Sequence, residues 1–492
     1  MKKHGCKHIL WLFTALLFFT GCTKEEIKPV TVPDTIVEDA SEISQEETTQ
    51  SVENTLLPTE VTEINESAEA TQPPETTAEE TTVTPEETYL FWDQIYDYSN
   101  DQQALATNGE IKNLTLQLGN NPEELHITWF SKSGSRGHVN FTEITGGSLS
   151  STVTTQESIS APGYYRNRAV VTGLTANTTY QYQVGNGTIT SPIYNYTTED
   201  LQPSEFSFTI ASDQEIGLGD LDDNVYEIHS TAWKRSLNRM KEQIPDSKFI
   251  LSLGDHVARK DAPEEYDLFL DQSVLYSTPL MPVVGNHDAG SGFFGEHFYL
   301  PNLSEQGHLD GNDGDYWFVY GDVLFMVLNN LSTCDDIDHE LFIIETLKEV
   351  PDTKWRVLVS HYSPVSNVER YQGSAESVDD YFDYAELYDI DFFIGGHDHV
   401  YTRSFLMTDD DEFLSTADQN EFTNPEGAVY MIFSTATNSL FREPDHYPWA
   451  AVSIQTGHPQ ISKAHVTENS FTITTYEADT WKQLDTVTIY KD

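Results

Sequence analysis

The stretch DFFIGGHDHVYTR, residues 391–403, places two histidines one residue apart directly after a short apolar run. A short apolar run that ends in glycine is typical of a strand buried on both faces of a sheet. In α/β sheets, functional side chains gather just beyond the carboxyl ends of the strands. His397 and His399 therefore stand where an α/β domain would place its site.

The same arrangement recurs at four other predicted strands between residues 205 and 492. Apolar runs alternate there with helical patterns, including a helix over 338–350 whose apolar positions 341, 344 and 347 recur at helical spacing. The runs FTIAS, FILSLG, MPVVG and RVLVS are followed by Asp213-Gln214-Glu215, Asp255, Asn286-His287-Asp288 and His361. Because five strand ends present Asp, Asn or His, the sequence predicts an α/β domain with one polar crevice.

These residue types are suited to a two-metal hydrolytic centre. Carboxylate and amide oxygens and imidazoles bind ions such as Mn, Fe or Zn, and one carboxylate can bridge two ions about 3.5–4 Å apart. Each motif alone is weak, since a GD pair after a strand is commonly a turn or a helix cap. The ordered set D…GD…GNHD…H…GHxH would need five coincidences, and it predicts a dinuclear metal centre.

The region 111–200 reads as an all-β sandwich. Segments such as LHITWF and TTYQYQV carry β-branched and aromatic residues between Gly, Asn and Pro turns. Trp129 is expected in the core. The stretch LTANTTYQYQVG, residues 174–185, resembles the strand entry of a fibronectin type III-like sandwich, with Tyr180 as its corner tyrosine. Such a domain says little about function by itself.

Residues 1–22 read as an export signal. Basic residues precede an apolar run over 9–19 that is too short to span a bilayer. The run ends FFTGC, which resembles the cleavage site of a bacterial lipoprotein and implies lipidation of Cys22. An ordinary secretory signal is the alternative, and both interpretations place the protein outside the cell, with the lipid anchoring it to the membrane in the first case.

Two further segments separate the signal from the sandwich. Residues 23–88 are rich in Thr, Glu and Pro and are expected to form a disordered acidic linker. Residues 89–110 contain an aromatic cluster that is expected to pack on the following domain, with a docking motif for a partner as the alternative. The whole chain has 80 acidic and 26 basic residues, giving a formal net charge of −54. Because nucleic-acid binding needs a basic surface, we expect no nucleic-acid partner.

The ordered motif set resembles the calcineurin-like metallophosphoesterase superfamily, specifically its purple acid phosphatase branch. That branch also carries a fibronectin-like sandwich before the catalytic domain. The resemblance covers about residue 110 to the end and implies a four-layer α/β/β/α sandwich over 205–492 with two metal ions, Fe, Mn or Zn. It also implies hydrolysis of a small phosphate ester, with monoesters favoured. Phosphodiesterase or nucleotidase activity stays open, as does a non-catalytic, metal-stabilised surface binding protein.

The resemblance assigns a role to each motif residue of this sequence. Asp213 and His399 would bind the first metal, and Asp255 would bridge both metals. The second metal would be held by Asn286, His361 and His397. His287 would contact the phosphate and donate a proton to the leaving oxygen.

Two positions depart from the branch. Asp255 lies in GDHVA, so Ala258 stands where the branch has a tyrosine that binds ferric iron. Neither the purple colour nor a fixed ferric ion is therefore implied. The first motif is Asp-Gln-Glu, and Glu215 is either an additional first-metal ligand in place of that tyrosine or an outward-facing loop residue. Of the neighbouring residues, His256 is expected to point away from Asp255, and Arg403 is expected in a salt bridge.

Overall fold

The computed structural model describes the sandwich and the α/β region with short gaps. The described residues are 109–146, 150–158, 163–198, 200–219, 225–304, 314–331, 336–369, 378–408, 414–416 and 418–492. Cys22, the 23–88 linker and most of the 89–110 segment lie outside these ranges. Among the described helices, none combines the length and the apolar character that a membrane span requires.

The amino-terminal domain is a β-sandwich of two sheets. Its strands are β1 (Ile111–Leu118), β2 (Glu124–Ser131), β3 (Gly137–Glu143), β4 (Ser150–Ser158), β5 (Tyr165–Thr172), β6 (Thr179–Asn186), β7 (Ile189–Thr190) and β8 (Tyr194–Thr197). One sheet has the order β1-β2-β5-β4, and the other has the order β3-β6-β7 with β8 also paired to β6. Trp129 is fully buried between them and donates its indole N–H to Asn186 Oδ1 at 2.8 Å. The Tyr180 hydroxyl accepts the backbone N–H of Thr175 at 2.8 Å.

The remaining described residues form an α/β domain with two seven-stranded sheets. The first sheet contains β9 (Phe206–Ala211), β10 (Ser247–Ser252), β11 (Leu280–Pro282), β17 (Glu421–Thr423), β20 (Gln460–Val466), β21 (Ser470–Glu477) and β22 (Gln483–Tyr490). The second contains β12 (Tyr316–Tyr320), β13 (Val323–Leu328), β14 (Trp355–Ser360), β15 (Phe392–Gly395), β16 (Tyr401–Met407), β18 (Ala428–Ile432) and β19 (Ala450–Ile454). The helices are α1 (Val225–Gln243), α2 (Pro263–Leu270), α3 (Phe293–His297), α4 (Asp336–Glu349) and α5 (Val378–Leu387), with a 3₁₀ turn at Ser273–Tyr276.

Aromatic side chains join the two sheets face to face. Phe208 and Phe249 of the first sheet meet Phe325 of the second edge-on, with ring centroids 5.3 and 5.6 Å apart. Further along, Phe471 packs against Phe392 at 5.0 Å. Such edge-to-face pairs add stability beyond the apolar area they bury. Helices cover the outer faces, so the predicted α/β architecture, with a β-sandwich before it, is confirmed.

The helix predicted over 338–350 runs from Asp336 to Glu349, but its buried face differs from the one expected. Leu341 is 42% exposed, whereas Phe342 and Ile343 are buried against the outer face of the second sheet. Four consecutive apolar residues, LFII, fit more than one helical face. Contact with the sheet, which the sequence does not display, selects among them.

Parallel pairing brings the carboxyl ends of the central strands to one edge of the domain. In the first sheet β10 pairs in parallel with both β9 and β11. In the second sheet β13, β14, β15 and β18 are parallel in turn. Residues that follow these strands therefore converge on one crevice, as the sequence predicts.

Candidate metal centre

The turns after five strands deliver the predicted site residues. Asp213 and Glu215 follow β9, Asp255 follows β10, and Asn286 and His287 follow β11. His361 follows β14, and His397 and His399 follow β15. The carboxylates and imidazoles among them come within a few ångströms of one another.

Five of these residues have left-handed backbone conformations, which non-glycine residues adopt uncommonly. Their φ angles are 47° at Asp213, 41° at Glu215, 49° at Asp255, 72° at His397 and 57° at His399. Such strained positions persist only where the surrounding structure enforces them, and they cluster at functional sites. In this crevice they turn neighbouring side chains toward a common point.

Two glycines leave room for the carboxylates. A Cβ added at Gly285 would lie 2.3 Å from Asp255 Oδ1, and one added at Gly396 would lie 2.8 Å from Asp213 Oδ2. Both distances are shorter than any real carbon–oxygen contact of this kind. Glycine is therefore required at position 285 of GNHD, where the turn approaches Asp255, and at position 396 of GGHDH, where the turn approaches Asp213.

His361 organises one half of the centre. Its Nδ1 lies 2.7 Å from the carbonyl oxygen of Leu253, which fixes the proton on that nitrogen. Its Nε2 then faces Asp255 Oδ2 and Asn286 Oδ1, both 3.1 Å away. Two ligands bound at right angles to one ion at about 2.1 Å lie about 3.0 Å apart. The two distances from His361 Nε2 are therefore those expected between ligands of one cation.

His397 completes this half. Its ring meets the His361 ring edge-on at 5.2 Å and packs against Tyr362 at 4.5 Å. One nitrogen of each histidine and one Asp255 oxygen lie within 4.8 Å of one another. Burial, followed by the neighbouring His361 charge, lowers the pKa of His397 to about 2. The ring is therefore neutral, which is the form that binds a metal.

The other half is formed by Asp213, Glu215 and His399. His399 Nδ1 lies 3.1 Å from the carbonyl oxygen of Leu440, so Nε2 is directed into the crevice. That Nε2 is 3.6 Å from Asp213 Oδ1 and 3.6 Å from Glu215 Oε1. The atoms surround a common space, but at larger separations than those around His361.

Glu215 points inward. It is only 2% exposed, and its Oε2 is a buried oxygen with no hydrogen-bond partner among the described residues. A buried carboxylate oxygen without a partner is costly unless a cation or a proton satisfies it. The Ala258 side chain has no oxygen or nitrogen atom, whereas Glu215 directs an oxygen donor into this side of the crevice.

The electrostatics of the crevice favour bound cations. Burial, with the nearby Asp255 charge, raises the pKa of Asp213 to about 7, and burial also raises the pKa of Glu215 well above its ordinary value. Burial alone would raise the pKa of Asp255, but the charge and hydrogen bond of His361 hold it well below its ordinary value. Although burial opposes it, Asp255 in turn raises the pKa of His361 to about 10. Buried carboxylates with neutral imidazoles are the donor set that metal ions bind in place of protons, so the residues fit the dinuclear centre that the motifs imply.

His287 lies at the mouth of the crevice. Its side chain is 33% exposed, and its Nε2 is 3.7 Å from Glu215 Oε1. Its Nδ1 bonds the carbonyl oxygen of Ala258 at 2.8 Å, and its backbone N–H donates to Asp255 Oδ1 at 2.7 Å. One ring nitrogen of His287 also lies in a group with carboxylate oxygens of Glu215 and Asp255 whose atoms are within 4.8 Å of one another. Exposure at the mouth favours contact with a substrate.

The neighbouring motif residues are structural. His256 points away from the crevice, with its Nδ1 3.0 Å from Asp288 Oδ2 and its ring among buried phenylalanines. Arg403 is buried and donates from Nε to Asp485 at 2.7 Å, while the Tyr401 hydroxyl donates to the same carboxylate at 2.8 Å. These contacts place the Arg403 charge in an ion pair within the domain.

Several supporting residues were not singled out from the sequence. The Thr435 hydroxyl donates to the carbonyl oxygen of Asp213 at 2.7 Å, and that of Thr437 donates to the carbonyl oxygen of Gln214 at 2.9 Å. Leu440, on the same segment after β18, holds His399. Because these contacts run through backbone groups and small hydroxyls, the sequence carries no motif for them.

Comparison with known proteins agrees with the site. Residues 219–401 match the calcineurin-like phosphoesterase family, and residues 111–198 match the purple acid phosphatase N-terminal domain. Asp213 and Glu215 precede the first of these matches. A search of curated proteins finds no match.

Two solved structures are similar over much of the chain. The purple acid phosphatase PPD1 from yellow lupin (Lupinus luteus) seeds has a TM-score of 0.64 at 16% identity, covering 78% of this chain and 74% of the lupin chain. A structure titled "Structure of PhoD" has a TM-score of 0.49 at 11% identity, covering 78% and 93%. At these identities the lupin enzyme supports the fold alone. Residues 111–198 therefore match a purple acid phosphatase N-terminal domain and residues 219–401 match a calcineurin-like phosphoesterase, and these matches, with the clustered carboxylates and imidazoles, indicate a metal-dependent phosphoester hydrolase.

Proposed function

We propose that this enzyme hydrolyses small phosphate monoesters outside the cell at a centre of two metal ions. The observation that carries the proposal is the convergence of His361 Nε2, Asp255 Oδ2 and Asn286 Oδ1 at 3.1 Å, beside a second group around His399. The resemblance to the purple acid phosphatase branch supports the monoester preference. The acidic chain also needs a local positive charge to hold an anionic substrate, and two cations supply it.

The ligand sets follow the two halves of the crevice. The first metal would be held by Asp213, Glu215, Asp255 and His399. The second would be held by Asp255, Asn286, His361 and His397. Carboxylate oxygens with neutral imidazoles suit Mn, Zn or ferrous iron, and with Ala258 at the tyrosine position no phenolate is present to favour ferric iron.

When bound, the two ions would neutralise the phosphoryl oxygens and lower the pKa of an attacking water. The residues of the chain do the rest. Asp255 would join the two halves, because its Oδ2 faces His361 and one of its oxygens lies within 4.8 Å of donor atoms of Glu215 and His287. The buried walls around the ligands exclude bulk water from the carboxylates, which strengthens their interaction with a cation.

His287 is the proton donor in this proposal. The contact of Nδ1 with the carbonyl oxygen of Ala258 fixes the ring so that Nε2 is presented to the open side of the crevice. A proton on that Nε2 would pass to the leaving oxygen of the ester as the P–O bond breaks, which avoids expelling an alkoxide. No covalent intermediate on the protein is required.

The proposed location rests on the sequence before the described residues. The signal-like segment ending at Cys22 and the acidic 23–88 linker would hold the catalytic domain away from the membrane. A Cys22→Ala variant should move from the membrane fraction to the soluble fraction when cells are fractionated. Retention of that variant in the membrane would contradict lipid anchoring through Cys22.

The activity test is release of phosphate from a panel of esters. The metal-loaded protein should hydrolyse an aryl monoester, lose that activity with a chelator, and regain it when Mn²⁺, Zn²⁺ or Fe²⁺ is restored. A diester and a nucleoside monophosphate belong in the same panel. Faster turnover of the diester would replace the monoester assignment with a diesterase, and faster turnover of the nucleotide would indicate a nucleotidase.

A His287→Ala variant tests the proton donor separately. It should keep two ions per chain by elemental analysis while its kcat falls by about 10²–10⁴-fold on esters with poor leaving groups. Loss of an ion from this variant would instead make His287 a ligand together with Glu215 and Asp255.

A further inference from the structure

The β-sandwich contacts the catalytic domain at the segment that follows the GNHD turn. Arg168 donates from Nη2 to the carbonyl oxygen of Phe298 at 2.7 Å, and His126 Nδ1 bonds that of Tyr299 at 2.9 Å. The Thr115 hydroxyl donates to the carbonyl oxygen of His297 at 3.2 Å. The sandwich therefore holds the backbone of α3 and of the residues just after it.

One sandwich residue reaches further into the catalytic domain. The pairing of β1 with β2 shifts register between Lys112 and Thr115, and Asn113 inside this bulge has a φ of 52°. Bulges of this kind re-aim a side chain out of the regular sheet pattern. Asn113 is 1% exposed and donates from Nδ2 to Asp267 Oδ1 at 2.8 Å and to His297 Nε2 at 3.1 Å.

The tautomer of His297 makes this contact directional. His297 Nδ1 lies 2.8 Å from the carbonyl oxygen of Phe293 and so carries the proton, which leaves Nε2 as an acceptor for Asn113. Burial lowers the pKa of His297 to about 3, so the ring is neutral. The ring stacks on Tyr266 of α2 with centroids 4.3 Å apart and planes 10° from parallel.

Tyr266 continues the contacts to the metal-binding turns. Its hydroxyl donates to Asp288 Oδ1 at 3.3 Å. Asp288 in turn accepts the backbone N–H of Gly285 at 3.0 Å and that of His256 at 3.2 Å. One carboxylate thus ties the turn that carries Asp255 to the turn that carries His287.

These contacts form a continuous buried chain from the sandwich to the active site. We call it the interdomain relay, and its members are Asn113, His297, Tyr266 and Asp288. We propose that the interdomain relay positions His287, so that the β-sandwich is part of the active-site construction and not a separate binding module. Its members are positioning residues, because none of them faces the crevice.

The test is a double-mutant cycle between Asn113 and His287, and it rests on the proposed role of His287. Asn113→Gly removes the side chain while tolerating the left-handed backbone. In the otherwise native enzyme it should lower kcat by about tenfold or more, since small displacements of a reacting group are costly. KM should change less than kcat, and both ions should remain by elemental analysis. In the His287→Ala background the same change should alter kcat less than about twofold, because coupled residues are not additive.

Asn120 provides the matched control. It also sits on the domain interface, where its Oδ1 accepts the backbone N–H of Asn302 at 2.8 Å, but it does not touch the relay. Asn120→Gly should leave kcat within about twofold of native. Tyr266→Phe, which removes only the hydroxyl, should lower kcat as much as Asn113→Gly does. It provides the test of the relay if Asn113→Gly does not fold.

The outcomes separate the two proposals. Equal losses from Asn113→Gly with and without His287 would overturn the relay while leaving the role of His287 intact. Relay variants that behave like Asn120→Gly would overturn the relay as well. Full activity of His287→Ala would overturn the proposed role of His287 and the relay together, while activity of the metal-loaded enzyme would leave its assignment as a phosphoesterase in place.

Discussion

The two halves of the metal centre differ in how tightly the protein holds them. Around His361 the donor atoms are already 3.1 Å apart, and the imidazole is fixed by the Leu253 carbonyl. Around His399 the separations are 3.6 Å, and the additional oxygen donor is the side chain of Glu215. The first arrangement depends on contacts within the strand ends, and the second also depends on the buried carboxylate of Glu215.

The difference shows where this chain departs from the branch it resembles. The tightly held half carries every ligand that the motifs predict for the second metal. The looser half is the one where Ala258 stands in place of tyrosine and where Glu215 enters the crevice from another turn. A carboxylate can bind in one- or two-oxygen modes, so a looser half tolerates ions of different size better than a rigid phenolate site would.

The largest expected effect comes from Asp255, which both halves share. Asp255→Asn should lower activity by about 10³-fold or more and reduce the metal content of both halves, because it removes the bridging charge. Elemental analysis and phosphate release would measure the two effects.

Asp315→Asn is the control for this change, since Asp315 is an equally buried carboxylate that contacts His339 at 2.7 Å and the backbone N–H of Asn329 at 2.8 Å, neither of which is a proposed ligand. It should lower thermal stability while keeping two ions. Two bound ions per chain in Asp255→Asn would contradict the proposal that this residue is shared by the two halves.

Glu215 tests the looser half alone. Glu215→Gln keeps the shape of the side chain but removes its charge, so metal content should fall from two ions toward one and activity by about 10²-fold. The ion beside His361 should remain. Glu265→Gln, at a buried carboxylate that bonds Arg259 and not the crevice, should keep both ions. Two tightly bound ions in Glu215→Gln would make the looser half independent of this carboxylate.

The convergence of these side chains on one crevice was predictable from sequence because the strand ends repeat one pattern. Each ligand follows an apolar run within a few residues, so parallel pairing alone brings them together. The direction of Glu215 was not predictable, because it depends on a left-handed backbone at residue 215 and on the neighbouring turn. A short motif does not specify either.

Contacts between segments that lie far apart in the chain could not be predicted from the sequence either. Asn113 acts through a bulge in β1 that no local pattern marks, and its partner His297 lies 184 positions away. The buried face of α4 was misjudged for the same reason, since the sheet that selects Phe342 over Leu341 is built from other parts of the chain. Periodicity finds elements, whereas tertiary packing decides which faces they use.

A change at Asp398 should weaken metal binding in both halves of the centre, by less than the changes at Asp255 and Glu215. It lies between His397 and His399, accepts the Asn367 N–H at 2.8 Å and accepts the Ser366 hydroxyl at 2.8 Å. Asp398→Asn loosens this turn without removing a ligand, so metal affinity should fall by about tenfold. Activity at saturating metal should stay near native. Titration of metal-free protein with Mn²⁺ would measure the affinity, and an affinity lowered for one ion alone would show that the turn serves one half only.

The smallest expected effect is a pH dependence of the metal-free protein. Burial raises the pKa of Asp213 to about 7 from an ordinary 3.8, so the folded protein holds a proton that the unfolded chain releases. The resulting stabilisation is fully present below pH 3.8 and is lost as pH rises through 7. The His361 pKa of about 10 acts in the same direction above pH 6.5, its ordinary value. Chelated protein should therefore melt at a lower temperature at pH 8 than at pH 5, and added Mn²⁺ should raise the melting temperature more at pH 8. Asp213→Asn should flatten this dependence below pH 7, and an unchanged slope in that variant would assign the proton to Glu215, whose pKa burial also raises well above its ordinary value.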